Sequence, residues 1–133
     1  NGEAEELLPE KKETFDVVTC LEAIEHVPDP QQLVKTCSDL CKPGGTIVFS
    51  TINRNPKSFL FAIIGAEYIL NLLPKGTHEF KKFIKPSELS NMMRNSNLEV
   101  KEIIGMSYNP LTKKYWLGKD VDVNYLIHAE KSK

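Results

Sequence analysis

Short apolar runs alternate with amphipathic stretches along this chain. Residues 15–20 (FDVVTC) form a nearly continuous apolar run, which is typical of a strand buried on both faces of a parallel sheet. Residues 30–41 repeat apolar side chains at helical spacing, with Asp29 placed to cap the helix and Pro30 suited to its first position. Residues 46–52 follow as a second strand. Strand, helix and strand predict a right-handed βαβ unit.

The second half of the chain predicts one more helix and a set of short strands. The helix starts near residue 85 and continues to about residue 95. Strands are predicted at residues 98–106 and 121–129, with a short strand at 115–117 between them. Strands joined without a helix pair antiparallel. The expected fold class is therefore α/β, with parallel strands followed by a final antiparallel pair.

The length and composition are those of a single domain, and they do not indicate nucleic-acid binding. The 133 residues carry a net charge of −1, which gives no electrostatic footprint for nucleic acid as a partner. Cys20, Cys37 and Cys41 are an odd number without CxxC spacing, and we interpret them as reduced thiols of an intracellular protein. The polar residues 1–14 form a connector without a secretory signal, and their direct entry into a strand suggests part of a larger protein.

An acidic turn follows the first predicted strand. Glu22, Glu25 and His26 begin where that strand ends, and ligands of open α/β sheets bind beyond the carboxyl ends of the strands. In a helical turn, spacings of three and four residues would place the three side chains on one side. Such a group could bind a divalent cation or serve as acid and base. A solvated acidic turn is the alternative, and spacing alone favours it.

The segment from Phe59 to Leu73 (FLFAIIGAEYILNLL) is strongly apolar and has basic residues on both sides, among them Lys57 and Lys75. It is shorter than the roughly 20 apolar residues that cross a bilayer. A helix of this kind fits a membrane interface or the cover of a hydrophobic substrate. A buried core helix is an equally open alternative.

One histidine lies in the loop that follows this apolar segment. His78 is part of Pro-Lys-Gly-Thr-His, which has the composition of a mobile loop. Loop positions on a rigid scaffold often carry function, so His78 is a candidate acid–base residue. An incidental surface histidine is the alternative.

Several longer motifs together carry a family likeness. The chain contains FDVVTCLEAIEHVPDP, KPGG before a strand, STINRNPKS, PKGTHEFKKFIKP, YNPLTKKYWLG and DVNYLIHA. This combination resembles the C-terminal part of the ubiquinone-biosynthesis O-methyltransferases, which are class I S-adenosylmethionine-dependent enzymes acting on polyprenyl-hydroxyphenols and demethylubiquinol. The likeness covers residues 15–129. EHV and KPGG occur in many class I methyltransferases, whereas NRNPKS, PKGTH and DVNY are specific to this family.

The resemblance implies a Rossmann-like sheet of which this chain supplies the later strands. Class I methyltransferases hold their cofactor with a glycine-rich loop and an acidic residue at the end of the second strand, and this sequence contains neither. Residues 1–133 are therefore expected to form a single, incomplete methyltransferase domain with a hydrophobic and basic insertion at residues 53–84. Leu21 matches a position that contacts S-adenosylmethionine in the family, and Cys20 and Glu22 flank it.

The resemblance also implies a reaction, namely methylation of a phenolic hydroxyl on polyprenylated catechol intermediates of ubiquinone biosynthesis. It assigns Glu22, Glu25 and His26 to a divalent metal, with magnesium expected, and it makes His78 the residue that takes the proton or closes over the substrate. The expected partners are the polyprenylated substrate, other ubiquinone-biosynthesis proteins and a membrane surface, contacted through the segment from Phe59 to Leu73.

The implied location is peripheral on the inner membrane, at the bacterial cytoplasmic face or the mitochondrial matrix face. Two alternatives remain from the residues themselves. One is a catalytically incomplete fragment that acts only as a lipid- or membrane-binding module. The other is a structural fragment that needs a missing half or a second copy to cover exposed sheet surface.

Overall fold

A computed structural model of the chain describes residues 3–58, 60, 80–109 and 111–133. These residues form a mixed five-stranded sheet with the spatial order β1-β2-β5-β3-β4. Its strands are β1 (Phe15–Leu21), β2 (Cys41–Ile52), β3 (Leu98–Asn109), β4 (Lys114–Gly118) and β5 (Asn124–Lys131). The α/β class is confirmed.

Helices connect the strands and cover part of the sheet. The α-helical segments are α1 (Leu8–Lys11), α2 (Pro30–Leu40), α3 (Pro56–Ser58) and α4 (Pro86–Arg94), and 3₁₀ turns occur at Ala4–Leu7, Ile24–His26 and Phe80–Lys82. In the described part of the chain, no helix has the length and hydrophobicity that a bilayer crossing requires.

Helix α2 begins as its sequence predicts. Asp29 is extended, and its Oδ1 accepts a hydrogen bond from the backbone N–H of Gln32 at 3.0 Å, while Pro30 occupies the first turn. This arrangement satisfies one of the N–H groups that a helix start leaves unpaired. The chain then returns to the sheet and β2 pairs parallel to β1, which confirms the βαβ unit.

Strand β2 begins at Cys41, five residues before the predicted start. Cys41 pairs with Phe15, and the regular ladder resumes where Thr46 pairs with Val17. Residues 42–45 therefore form an irregularity within the strand rather than a separate loop. Gly44 supplies the turn with a φ of 75°, which glycine adopts without steric cost.

The final antiparallel pair is confirmed, with β5 between β2 and β3 and antiparallel to both. Strand β5 begins at Asn124 rather than at residue 121. The carbonyl groups of Val121 and Val123 accept hydrogen bonds from the side chain and the backbone N–H of Asn53, so this stretch is bound to the loop after β2. The short strand predicted around residue 116 is present as β4 and pairs with β3.

The hydrophobic core lies between the sheet and helices α2 and α4, which contact each other. Phe49 of β2 and Tyr125 and Ile127 of β5 are buried, as are Val34 of α2 and Leu89 of α4. The Tyr125 hydroxyl donates to the carbonyl of Ile84 at 2.6 Å. Burial raises the Tyr125 pKa, and the nearby carboxylates of Glu88, Glu25 and Glu22 add to that effect.

Strand β1 differs from the prediction that it would be buried on both faces. It lies at the edge of the described sheet with β2 as its neighbour. Val17 is 58% exposed, and Phe15 and Leu21 are exposed as well. The apolar run thus predicted a strand correctly but not its surroundings, because burial depends on which elements pack against the strand.

Two sequence predictions lie outside the described residues. The segment from Phe59 to Leu73 is described only at Leu60, which is exposed. His78 is not among the described residues.

Candidate functional site

The carboxyl ends of β1 and β2 lie side by side, with Leu21 paired to Ser50. Glu22 leaves β1 with a φ of 51°, an uncommon conformation for a residue other than glycine. Its N–H points at both the carbonyl oxygen and the hydroxyl of Ser50, each at 3.0 Å. The Ser50 hydroxyl in turn donates to Glu22 Oε1 at 2.9 Å. Ser50 therefore fixes the exposed Glu22 at this edge of the sheet.

Glu25 has a different environment from Glu22. It lies in the 3₁₀ turn Ile24–His26, is only 3% exposed, and accepts a hydrogen bond through Oε2 from the Thr51 hydroxyl at 2.8 Å. Its Oε1 has no hydrogen-bond partner among the described residues. A buried carboxylate oxygen without a partner is costly, so it is suited to receive a donor or a cation.

The three predicted metal-site residues do not share one side of a helical turn. The strand continues to Leu21, Glu22 has left-handed backbone geometry, and the 3₁₀ turn includes only Glu25 and His26 of the three. Within that turn Glu25 is buried whereas His26 is exposed. The spacing argument fails because it assumed a continuous helix beginning after Cys20.

The described residues contain no group of three or more His, Cys, Asp and Glu side chains arranged to hold a metal ion. Glu25 Oε1 is one suitable oxygen, but Glu22 and His26 do not join it in a ligand set within this part of the chain. The described residues therefore do not form a complete metal site, and no step of the reaction proposed below depends on a metal.

Cys20, a predicted cofactor neighbour, is linked to the core behind the site. It is half-buried next to Leu21, while Cys37 of α2 is buried, and both are free cysteines. A hydrogen bond from Cys37 lowers the pKa of the Cys20 thiol, although burial and Glu25 act in the opposite direction. The same hydrogen bond, together with burial, raises the pKa of Cys37.

Sequence reasoning missed Ser50 and Thr51. Both residues are buried near the end of β2. Their hydroxyl groups donate hydrogen bonds to the two carboxylates of the acidic segment. The available signal was a pair of hydroxyl residues near the end of an apolar strand. Only the parallel pairing of β1 and β2 shows which carboxylates these hydroxyls meet.

The chain leaves β2 through a loop that is anchored to its surroundings. Lys57 forms two ion pairs: its Nζ lies 3.1 Å from Asp120 Oδ2 and 3.0 Å from Asp122 Oδ2. These contacts raise the pKa of Lys57, with the hydrogen bond that Lys57 donates to Asp122 contributing most. Arg54 forms an ion pair with Glu88 of α4. Arg54 and Lys57 thereby hold the loop after β2 against α4 and the β4–β5 connection.

This fold, a mixed sheet in which the carboxyl ends of β1 and β2 lie side by side, is that of a methyltransferase domain. The family profile described as "Methyltransferase domain" matches residues 1–103, so the chain belongs to this family. An S-adenosylmethionine-dependent methyltransferase of Thermotoga maritima shares the fold, with a TM-score of 0.70 over 98% of this chain and 62% of that chain. At 20% identity this likeness concerns the fold alone.

Curated relatives indicate which group of methyltransferases the chain resembles most specifically. The chain is 66% identical over 121 residues to the "Ubiquinone biosynthesis O-methyltransferase" of Marinobacter nauticus, which is 91% of this chain and 51% of the relative. It is 64% identical over 126 residues to the protein of that name from Pseudomonas syringae, at 95% and 54% coverage. The chain therefore spans about half the length of these relatives. The resemblance predicted from the motifs is confirmed.

Proposed function

We propose that this chain is part of an S-adenosylmethionine-dependent O-methyltransferase of ubiquinone biosynthesis. Its acceptor would be a phenolic hydroxyl on a polyprenylated catechol-type intermediate. The observation that carries the proposal is the 66% identity to a curated enzyme of this name across 91% of the chain. A match over 121 of the 133 residues extends across the acidic segment and both strands of the candidate site.

The geometry supports a cofactor at the carboxyl edge of β1. Leu21 is an exposed apolar side chain there, and the carboxylate of Glu22 is fixed beside it by Ser50. Leu21, Glu22 and Cys20 are the residues that we propose to contact S-adenosylmethionine. When bound, S-adenosylmethionine supplies an electrophilic methyl group on a sulfonium sulfur.

The acceptor oxygen must lose its proton as it attacks. A phenol has a pKa of about 10 and is a weak nucleophile at neutral pH, so a nearby proton acceptor would accelerate the reaction. His78 is our proposed acceptor. A divalent ion, with magnesium expected, held by Glu22, Glu25 and His26 remains a separate prediction; a Glu25→Gln enzyme with unchanged metal dependence would argue against that ligand set.

A chimaera tests the methyl-transfer proposal directly. This chain would replace the aligned half of the Marinobacter nauticus relative, and transfer of a labelled methyl group to a short-chain polyprenyl catechol would be measured. We expect activity, and we expect His78→Ala to lower kcat more than His128→Ala, a matched histidine substitution on β5. A folded chimaera that binds S-adenosylmethionine but leaves the catechol unmethylated would refute the proposed substrate.

Membrane attachment through the segment from Phe59 to Leu73 belongs to the same proposal, because a polyprenyl tail resides in a bilayer. This attachment would place the enzyme peripherally on the inner membrane. Liposome flotation tests it: a Phe59→Glu, Ile63→Glu double variant should float less than the unaltered chain. Equal flotation would exclude this segment as the attachment site.

The alternative of a lipid-binding module without catalysis makes a different prediction about the cofactor. Calorimetric titration of S-adenosylmethionine into the 133-residue chain should show no binding if the cofactor site needs further elements, while the chimaera still binds. Absence of binding in both proteins would favour the module.

A further inference from the structure

The end of β2 carries two neighbouring hydroxyl residues that bond the two carboxylates of the acidic segment on opposite faces of the sheet. Successive side chains of a strand alternate between the faces. Thr51 shares the core face with Phe49 and donates to the buried Glu25 at 2.8 Å. Ser50 points to the other face, where it donates to the exposed Glu22. A ligand at this edge of the sheet therefore meets the carboxylate of Glu22 and not that of Glu25.

The Ser50 hydroxyl closes a small ring with Glu22. It accepts a hydrogen bond from the Glu22 N–H at 3.0 Å and donates one to Glu22 Oε1 at 2.9 Å. Ser50 is only 2% exposed, so water competes little for these bonds. The ring restrains the backbone of Glu22, whose φ of 51° is uncommon, together with the orientation of its carboxylate. Alanine at position 50 would keep the backbone hydrogen bond between the two residues and remove both hydroxyl bonds.

Leu21 adds an exposed apolar side chain next to this carboxylate. It pairs with Ser50 in the parallel register, and paired residues of neighbouring strands point to the same face of the sheet. Leu21 is 53% exposed. A ligand that fits both groups combines an apolar surface with a positive charge. The sulfonium of S-adenosylmethionine has this chemistry, because three carbon substituents surround a positively charged sulfur.

The charge on sulfur is what distinguishes this cofactor from its product. When the methyl group moves to the acceptor oxygen, the carbon–sulfur bond breaks and its electron pair stays on sulfur. The product, S-adenosylhomocysteine, therefore carries a neutral thioether. A carboxylate held near the sulfur attracts the cofactor more strongly than the product. A carboxylate that rotates freely into water loses part of this preference, because it must be ordered again when the cofactor binds.

We propose that Ser50 is a positioning residue, which holds the Glu22 carboxylate toward the cofactor sulfur and thereby favours S-adenosylmethionine over S-adenosylhomocysteine. This inference rests on the proposed function and deepens it, since it assigns a preference between cofactor and product to one hydroxyl group. Ser50 acts through Glu22 and does not itself contact the cofactor. Its role is to preserve one orientation of the carboxylate before the cofactor binds.

The chimaera with the Marinobacter nauticus relative provides the test, with the dissociation constants of both compounds measured by calorimetry in EDTA. Their ratio, product over cofactor, reports the preference for the sulfonium charge. In Ser50→Ala the constant for S-adenosylmethionine should rise about fivefold and that for S-adenosylhomocysteine less than about twofold. Ser50→Thr retains the hydroxyl and should keep the ratio of the unaltered chimaera. A ratio in Ser50→Ala equal to that of the unaltered chimaera would overturn the proposal.

Two outcomes separate this proposal from the proposed function. A chimaera that binds both compounds but leaves the catechol unmethylated refutes the proposed substrate, and the ratio then still measures the role of Ser50. A chimaera that binds neither compound refutes the proposed cofactor site and this proposal with it.

Ser38→Ala is the matched control for a merely structural role. Ser38 lies on α2, is also 2% exposed, and donates a hydrogen bond to the carbonyl of Ser96 at 2.6 Å. Both alanine variants remove a buried hydroxyl and should lose comparable stability. Only Ser50→Ala should change the ratio of dissociation constants. An equal change in Ser38→Ala would show a general loss of structure and contradict the positioning role.

A double variant tests whether Ser50 acts through Glu22. Glu22→Gln removes the charge at an exposed position and should lower the ratio at least about fivefold, also where Ser50→Ala does not fold. Adding Ser50→Ala to Glu22→Gln should lower the ratio no further, because no charge remains to be positioned. Independent, multiplying effects of the two substitutions would overturn the proposal.

Hydrogen exchange in the 133-residue chain itself tests the contact without any cofactor. The Glu22 amide should exchange about fivefold faster in Ser50→Ala, because one of its two acceptors is lost, and at an unchanged rate in Ser38→Ala. Equal exchange of this amide in Ser50→Ala and the unaltered chain would show that the hydroxyl does not hold Glu22, and would overturn the proposal whatever the chimaera catalyses.

Discussion

The core beneath helices α2 and α4 and the β3–β4 hairpin contain similar side chains in opposite environments. In the core, Phe49 and Tyr125 are fully buried between the sheet and the helices. In the hairpin, Tyr115 and Trp116 also belong to a strand of the same sheet but remain exposed. The difference is positional, because β2 and β5 lie inside the sheet whereas β4 lies at its edge.

This comparison shows that apolar strand residues of one sheet differ in how much they can stabilise the fold. Those in the core contribute to the free energy of folding through burial and close packing. Those in the hairpin are exposed, and we expect them to contribute little to that free energy. Substitutions in the two regions should therefore differ strongly in their effect on stability.

The largest effect is expected for Phe49→Ala. Phe49 is fully buried, and its truncation removes apolar contacts and leaves a cavity, which typically costs about 3–5 kcal/mol of unfolding free energy. Urea denaturation followed by circular dichroism would measure the loss. Phe49→Leu is the control and should cost clearly less. A loss below about 1 kcal/mol for Phe49→Ala would contradict the assignment of this region as the core.

The polar edge of the core should be the next most sensitive. Thr51→Val removes the hydroxyl that donates to Glu25 Oε2, so the buried carboxylate loses its hydrogen bond in the described part of the chain. We expect a loss of about 1–3 kcal/mol in unfolding free energy. Thr51→Ser keeps a hydroxyl and should retain most of the stability. Equal losses in both variants would point to lost packing of the methyl group instead.

Cys20 and Cys37 connect an edge strand to the core, and their reactivity should reflect that position. Because Cys37 lowers the pKa of Cys20, the Cys20 thiolate forms at lower pH than an ordinary cysteine thiolate. The alkylation rate of Cys20 increases with pH, and we expect the midpoint of this increase to lie at lower pH than for an ordinary cysteine. Cys37→Ala removes the donor and should move that rise to higher pH. Mass spectrometry of iodoacetamide adducts would measure both profiles.

Cys37→Ser provides the comparison for this pair, since its hydroxyl can still donate to Cys20. Its alkylation profile should remain nearer to that of the unaltered chain. Faster alkylation of Cys37 than of Cys20 at neutral pH would contradict the assigned direction of the hydrogen bond, because burial and Cys20 raise the pKa of Cys37.

The smallest effect on stability is expected in the hairpin. Trp116 is about half exposed on an edge strand, so Trp116→Ala should change the unfolding free energy by no more than about 0.5 kcal/mol, as most surface substitutions do. The same urea titration as for Phe49→Ala would test it, with circular dichroism as the probe because the variant lacks tryptophan. A loss comparable to that of Phe49→Ala would show that the hairpin belongs to the folding core.

Much of the fold follows from local patterns. The Asp29–Pro30 start of α2, the parallel strands on either side of it and the final antiparallel pair were all predicted, because caps and periodicity are properties of consecutive residues. The family could be predicted as well, since its motifs are contiguous. The starts of β2 and β5 could not, because they depend on distant partners: Cys41 pairs with Phe15, and Asn53 bonds the stretch before Asn124.

The candidate site depended more heavily on tertiary structure. The sequence by itself placed Leu21, Glu22 and Glu25 at the end of the first strand, and the structure confirms that location. Only the pairing of β1 with β2 decided that Ser50 holds Glu22 at the surface while Thr51 meets the buried Glu25. The physical reason is range: spacing determines which residues share a turn or strand, whereas hydrogen-bond partners and burial depend on elements that are distant along the chain.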